Sequence, residues 1–301
     1  MSRSQTCSRD HATGSVGWLA VEGATYLEEI LAAHRNASDA DDRRLDEVEA
    51  AASAAAPPRG FAEALRMGSK DRLAVIAEVK RRSPSKGVID ATLDPGAVAR
   101  QYEDGGASCL SVLTDASFFG GSSQDLVAAR AASRLPVLRK DFTVSSVDVL
   151  DARAMGADAV LLIVAALSDA ELVELRSLAE DLRMAALVEV HDARELDRAL
   201  AAGARMIGVN QRDLSTFEVV RTRAEELAAL IPPGVVTVAE SGIRDAVDAR
   251  RVAAAGYDAA LVGESLLKSP DRAAAVRQLT VRRAAGRSGG EPRVDTTSVE
   301  G

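Results

Sequence analysis

Sulfur and histidine are scarce in this chain of 301 residues, which has two cysteines, Cys7 and Cys109, and three histidines, His11, His34 and His191. They are dispersed, with neither the short spacings that hold zinc nor the framework of a disulfide-bonded secreted domain. No metal site and no disulfide scaffold are expected, and free thiols fit a reducing cytosol. Long apolar runs are also missing. No segment approaches the roughly 20 residues that cross a bilayer, and the first residues lack the continuous apolar core of a secretory signal. A cytoplasmic protein without a membrane partner is therefore the expectation. Positive charge is in deficit, with 37 Lys+Arg against 45 Asp+Glu and a net charge of −8. A nucleic-acid surface would need a basic footprint, and none stands out. An anionic ligand would have to meet a local positive field.

What the chain has is a repeating pattern. At 47% hydrophobic residues it can bury a sizeable core, as one α/β barrel or two smaller domains. After about residue 70, short apolar, β-branched runs alternate with amphipathic stretches. The expected strands are Ala74 to Lys80, Cys109 to Thr114, Pro136 to Lys140, Ala159 to Ile163, Ala185 to Val190, Met206 to Asn210, Val235 to Glu240 and Ala259 to Val262. Continuous apolar runs suit strands covered on both faces, and intervening helices imply parallel pairing. Eight such units predict an α/β fold, a (β/α)8 TIM barrel.

Two regularities sharpen this. Strands two, four, six and eight are preceded by Gly106, Gly156, Gly203 and Gly256, each placed to end a helix in the left-handed conformation. The odd strands instead finish in polar groups: Glu78 and Lys80, Lys140 and Asp141, Glu189, and Glu240 with Ser241-Gly242. Residues two apart on a strand share a face, so Glu78 and Lys80 are delivered side by side. In such barrels the active site is built on the C-terminal rim. Charged side chains in a barrel mouth are costly unless paired or used. Four unrelated salt bridges at the rim remain the bland alternative.

The last third suggests phosphate binding. Glycines close strand seven (Glu240-Ser241-Gly242) and strand eight (Gly263-Glu264-Ser265), where barrels often hold phosphate at the N-terminus of a short extra helix. Glu264 would have to bind through its backbone amide. Tight turns alone would also explain the glycines. Phe118, Phe119 and Phe142, three of only five phenylalanines, fall on βα loops and suit a flat apolar ring, or a plug over the barrel end. Asn210 and Arg212 offer an amide and a guanidinium for a carboxylate or hydroxyl, unless Arg212 is locked to Asp213.

Read in order, these motifs resemble the indole-3-glycerol phosphate synthase family. The resemblance spans roughly Phe61 to Asp271 and rests on Glu78-Val79-Lys80-Arg81-Arg82-Ser83-Pro84-Ser85-Lys86-Gly87, Leu113-Thr114-Asp115 with Phe118-Phe119-Gly120-Gly121-Ser122, Leu138-Arg139-Lys140-Asp141-Phe142, Leu187-Val188-Glu189-Val190-His191, Gly208-Val209-Asn210-Gln211-Arg212-Asp213-Leu214, Ala239-Glu240-Ser241-Gly242-Ile243 and Leu261-Val262-Gly263-Glu264-Ser265-Leu266. It implies conversion of 1-(2-carboxyphenylamino)-1-deoxyribulose 5-phosphate to indole-3-glycerol phosphate with loss of CO2 and water, in tryptophan biosynthesis and without a cofactor. By similarity Lys140 is the general acid of ring closure, supported by Glu78 and Glu189, with Lys80 near the substrate carboxylate. A lysine among other ionisable groups can have its pKa tuned toward working pH. Pro84, Phe119, Phe142, Leu161 and Leu214 would hold the aromatic ring, and Asn210, Glu240 and Ser241 the ribulose hydroxyls. Arg212 would assist with the carboxylate, and Gly242, Gly263, the Glu264 amide and Ser83 would surround the phosphate.

The expected organisation is a partly helical N-terminal extension over 1–60, a catalytic barrel over 61–284 and a tail over 285–301. The first twenty or so residues and the tail are expected to be mobile. The expected partner is a phosphorylated small molecule, taken by a monomer or weak homodimer. Two other readings remain: an isomerase or aldolase barrel with a different acid–base set, and a catalytically silent binder of phosphorylated ligands.

Overall fold

The computed structural model describes residues 25–83, 87–213 and 216–283. Expectations for 1–20, for the tail, and for Pro84 and Leu214 lie outside the described residues. The strands are β1 (Ala74–Val79), β2 (Cys109–Leu113), β3 (Val137–Lys140), β4 (Ala159–Ile163), β5 (Ala185–Val190), β6 (Met206–Asn210), β7 (Val236–Glu240) and β8 (Ala259–Val262). All pair in parallel, each with its neighbours in sequence, and β1 closes on β8 with Ala74 opposite Ala259. The barrel is thus the one read from the sequence, its strand ends shifted by at most one residue. The loop after β1 adds a small antiparallel pair, Arg82–Ser83 with Gly87–Val88.

The strands form as they do because most of their residues are buried on both faces, the barrel interior on one side and a ring of helices on the other. The helix Pro95–Asp104, for example, presents Val98, Ala99 and Tyr102 inward. Gly106, Gly156, Gly203 and Gly256 all have φ between 81 and 100°, so they do end their helices in the left-handed region.

The bottom of the barrel is fastened by two aspartates that follow such glycines, Asp158 buried and Asp258 half-buried. Asp158 accepts the backbone amides of Val137 at 2.7 Å and Arg59 at 2.6 Å, and Arg130 at 3.1 Å. Asp258 accepts the Thr237 amide at 2.8 Å, with Arg283 2.9 Å away.

Three helices precede β1: α1 (Tyr26–Asp39), α2 (Leu45–Ala54) and α3 (Phe61–Gly68). A capping box between Thr25 and Glu28 starts α1. These helices wrap the barrel from top to bottom. Tyr26, Leu27 and Ile30 of α1 face the cavity at the mouth, α2 packs on the outer helix Ser146–Ala154 through Val48, Ala52 and Leu150, and α3 buries Phe61 and Leu65 against the strands below. Among the described residues no helix is long and apolar enough to cross a membrane.

Candidate active site

The C-terminal ends of the strands surround a cavity of about 550 Å³. Every site residue expected from the sequence that falls among the described residues lines it. From the strands come Glu78, Lys140, Leu161, Glu189, Asn210 and Glu240, with Lys80 just past the end of β1. The loops add Ser83, Phe119, Phe142, Arg212, Ser241, Gly242 and Gly263, and Glu264 opens a short helix. Strand alternation explains the convergence, since each side chain is the inward-facing residue at its strand end.

At the centre, the Lys140 ammonium lies 3.5 Å from Glu189 Oε2, and Asn210 Nδ2 donates to Glu189 Oε1 at 3.1 Å. Lys80 donates to Glu78 Oε1, as their shared face requires. Burial alone would lower the Lys140 pKa, but the carboxylates of Glu189, Glu240 and Glu78 outweigh it and raise the value well above that of a free lysine. Tuning toward neutrality is therefore not what happens. The acidic neighbours, Glu189 foremost, favour the protonated form of Lys140.

The carboxylates divide. Burial and the neighbouring Glu189 drive the Glu240 pKa well upward, whereas burial of Glu189 is overcome by Lys140, His191 and Asn210, which keep it low. One proton on Glu240 thus relieves two like charges in a dry site. Two glycines make room for these acids. A Cβ on Gly208, within β6, would run into Glu240 Oε1, and one on Gly263 into Glu78 Oε1.

Opposite, Phe119 and Phe142 stand with ring centroids 6.5 Å apart at 37°, forming one wall of the cavity with Leu161. The turn after β7 has Ser241 at φ 65° and Gly242 at φ 73°. The serine conformation is strained for a residue with a side chain, and Gln211 Nε2 anchors it with a 2.7 Å bond to the Ser241 carbonyl. Backbone amides here and at the start of Glu264–Leu267 border the cavity, as do Arg221, Arg244 and Lys268, which the sequence reading missed. Glu264 turns its carboxylate to Lys268 at 2.7 Å. Arg212 donates to the Phe217 carbonyl at 2.8 Å.

α1 roofs the cavity, as the family resemblance implies for an N-terminal extension packed on the catalytic face, through contacts that the sequence reading did not name. Tyr26 meets Phe217 edge-on at 5.1 Å and Phe118 at 5.8 Å. His34 bonds Asp115 at 2.8 Å and lies 3.9 Å from Asp141, and its ring is 5.4 Å from Phe142. Arg35 reaches Glu171 at 2.9 Å. His34, Asp115 and Asp141 bring potential metal-ligand atoms within 4.8 Å of one another. Asp141 is already taken by Thr114, by Arg139 at 3.1 Å and by the Phe142 amide at 2.9 Å, and Asp115 accepts the Phe118 amide. The group is a hydrogen-bonded latch between α1 and the rim.

A parallel eight-stranded barrel whose mouth combines an ammonium, paired carboxylates, an aromatic wall and amide-lined turns defines a proton-transferring barrel enzyme. Comparison with known proteins narrows the class. A family model described as indole-3-glycerol phosphate synthase matches residues 27–279. The chain is 50% identical over 260 residues to the indole-3-glycerol phosphate synthase of Mycobacterium avium (85% of this chain, 94% of that one) and 48% identical over 263 residues to that of Mycolicibacterium smegmatis (86% and 95%). The chain belongs to the indole-3-glycerol phosphate synthase family, carbon–carbon lyases of tryptophan biosynthesis. Among solved structures it shares its fold with a thiamine phosphate pyrophosphorylase from Pyrococcus furiosus, at TM-score 0.53 and 17% identity over 71% of this chain and 95% of that one.

Proposed function

We propose that the cavity closes the indole ring of 1-(2-carboxyphenylamino)-1-deoxyribulose 5-phosphate, releasing CO2 and water to leave indole-3-glycerol phosphate. The observation that carries this reading is the half-buried Lys140 ammonium set among Glu189, Glu240 and Glu78. It faces a wall of Phe119, Phe142 and Leu161 in the same cavity. The aromatic ring lies on that wall. The phosphate is held by the amides of Gly242, Gly263 and Glu264, with Ser83 across the pocket. This placement directs the ribulose carbonyl toward Lys140.

As the ring carbon bearing the carboxylate attacks, negative charge grows on the carbonyl oxygen and its basicity rises. Lys140 then delivers its proton, and Glu189 stabilises the ammonium before and after transfer. Lys80 and Arg212 steer the substrate carboxylate until CO2 departs and aromaticity returns. Glu240, carrying a proton, and Asn210 and Ser241 address the hydroxyls. Loss of the hydroxyl and of a ring-side proton completes the sequence, with Lys80, Glu78 and Glu189 the groups at hand. All these groups come from one chain, so a monomer or weak homodimer suffices, in the cytoplasm.

The test is indole fluorescence developing from this substrate. Purified protein is expected to produce it, and Lys140→Met, which keeps the volume and removes the proton, is expected to remove it. A folded wild type that performs no better than the variant would overturn the reading.

A further inference from the structure

His191 lies just past β5, two residues beyond Glu189, so the two side chains leave the strand on one face. Its Nδ1 lies 3.0 Å from Glu195 Oε2, which also accepts the His191 backbone amide at 2.7 Å. Its Nε2 is buried without a hydrogen bond and faces Glu189 Oε1 at 3.5 Å. A carboxylate can only accept, so Glu195 fixes a proton on Nδ1. A neutral ring would then aim the buried Nε2 lone pair at the Glu189 carboxylate, leaving that nitrogen unpaired and facing negative charge. A second proton turns that repulsion into a charge-assisted contact.

We propose that His191 is a positioning residue of the ring closure, an imidazolium clamped between Glu195 and Glu189 that fixes the Glu189 carboxylate for Lys140. This rests on the reaction assigned above. The division of donors supports it. Asn210 and His191 address Glu189 Oε1, and Lys140 addresses Oε2, so the carboxylate is held from both ends. The charged groups around His191 agree. Burial opposes its protonation, but Glu195 and Glu189 together raise its pKa above the ordinary histidine value, with Arg223 the opposing cation. Glu240 and Lys140 act on it through Glu189.

The sign of the pH effect follows. The imidazolium is present at low pH and is lost as pH rises through the raised pKa. Glu189 then loses one anchor, and turnover falls on the alkaline side.

The experiment compares kcat and KM across pH for wild type, His191→Ala and His191→Gln, together with nitrogen NMR of histidine-labelled free enzyme. In the wild type, the signals absent from His191→Gln should show both ring nitrogens still protonated as pH passes the ordinary histidine pKa. His191→Ala should lower kcat about tenfold, the factor a hydrogen bond to a charged group supplies, with KM little changed. His191→Gln places a neutral donor near Nε2. It should recover kcat to within about threefold of wild type and abolish the alkaline fall. A neutral ring with bare Nε2, a wild-type profile in His191→Ala, or Gln as damaging as Ala would each overturn the proposal. Should the wild type make no indole product, the reaction assignment fails, and NMR of Glu189→Gln still decides the clamp. A drop in the His191 pKa in that variant supports it, and an unchanged pKa refutes it.

Discussion

Gly208 shows how much a missing methyl group can govern. It sits inside β6, where a glycine normally weakens a strand, and such a position often marks a close approach by another group. Here that group is Glu240, whose carboxylate occupies the space a Cβ would take. Glu240 is the far end of a flexible side chain, so Gly208→Ala should cost only about 1 to 2 kcal/mol of stability. The displaced acid should reduce kcat by roughly a hundredfold, the scale expected for a misplacement near 1 Å. Urea unfolding and steady-state kinetics on the same preparation check this, and a stability loss without a kinetic one would refute it. The sequence makes the polar strand ends legible, because a period of two sends alternate residues to one face. The charge states were not legible. The Lys140 pKa is raised by acidic groups, Glu189 foremost, that only the closed barrel brings within range. The partner of Gly208 was hidden for the same reason.

The elements divide the labour between the two rims. The mouth collects groups that act on substrate, whereas the lower rim collects groups that close the barrel. Asp158 is the clearest of these, accepting two backbone amides and a guanidinium from three separate segments. Asp158→Ala would leave Arg130 and both amides buried without that partner, a loss of about 3 kcal/mol by comparison with other broken buried pairs. Because it lies at the far end of the strands from Lys140, kcat should not change. Thermal unfolding with kinetics at a permissive temperature tests the split, and a kcat effect comparable to the stability effect would count against it. Strand boundaries were readable because burial on both faces leaves an unbroken apolar run. The courses of α1 and α2 were not, since caps and periodicity reveal that Thr25 and Leu45 begin helices but not what their apolar faces meet. Only the fold places Tyr26 beside Phe217 and His34 beside Asp115.

For the whole molecule, the helices before β1 link the two rims. Their first contacts are with the loops after β2, β3, β4 and β6 at the top, and the link ends under the strands at Phe61 and Leu65. Those helices leave the ribosome before any of the loops they will touch. Chain growth runs from the N-terminus, so α1 cannot complete its docking until residues as late as Phe217 exist. In refolding, α1 should therefore seat only after the barrel has closed. Far-UV circular dichroism is expected to recover before catalytic activity, and Tyr26→Ala should widen the gap between the two by delaying the second. Coincident recovery in both proteins would exclude this order. A helix translated ahead of the whole barrel is thus the element that completes its mouth last, and a nascent chain is expected to gain catalytic power only once α1 has folded back over the strands.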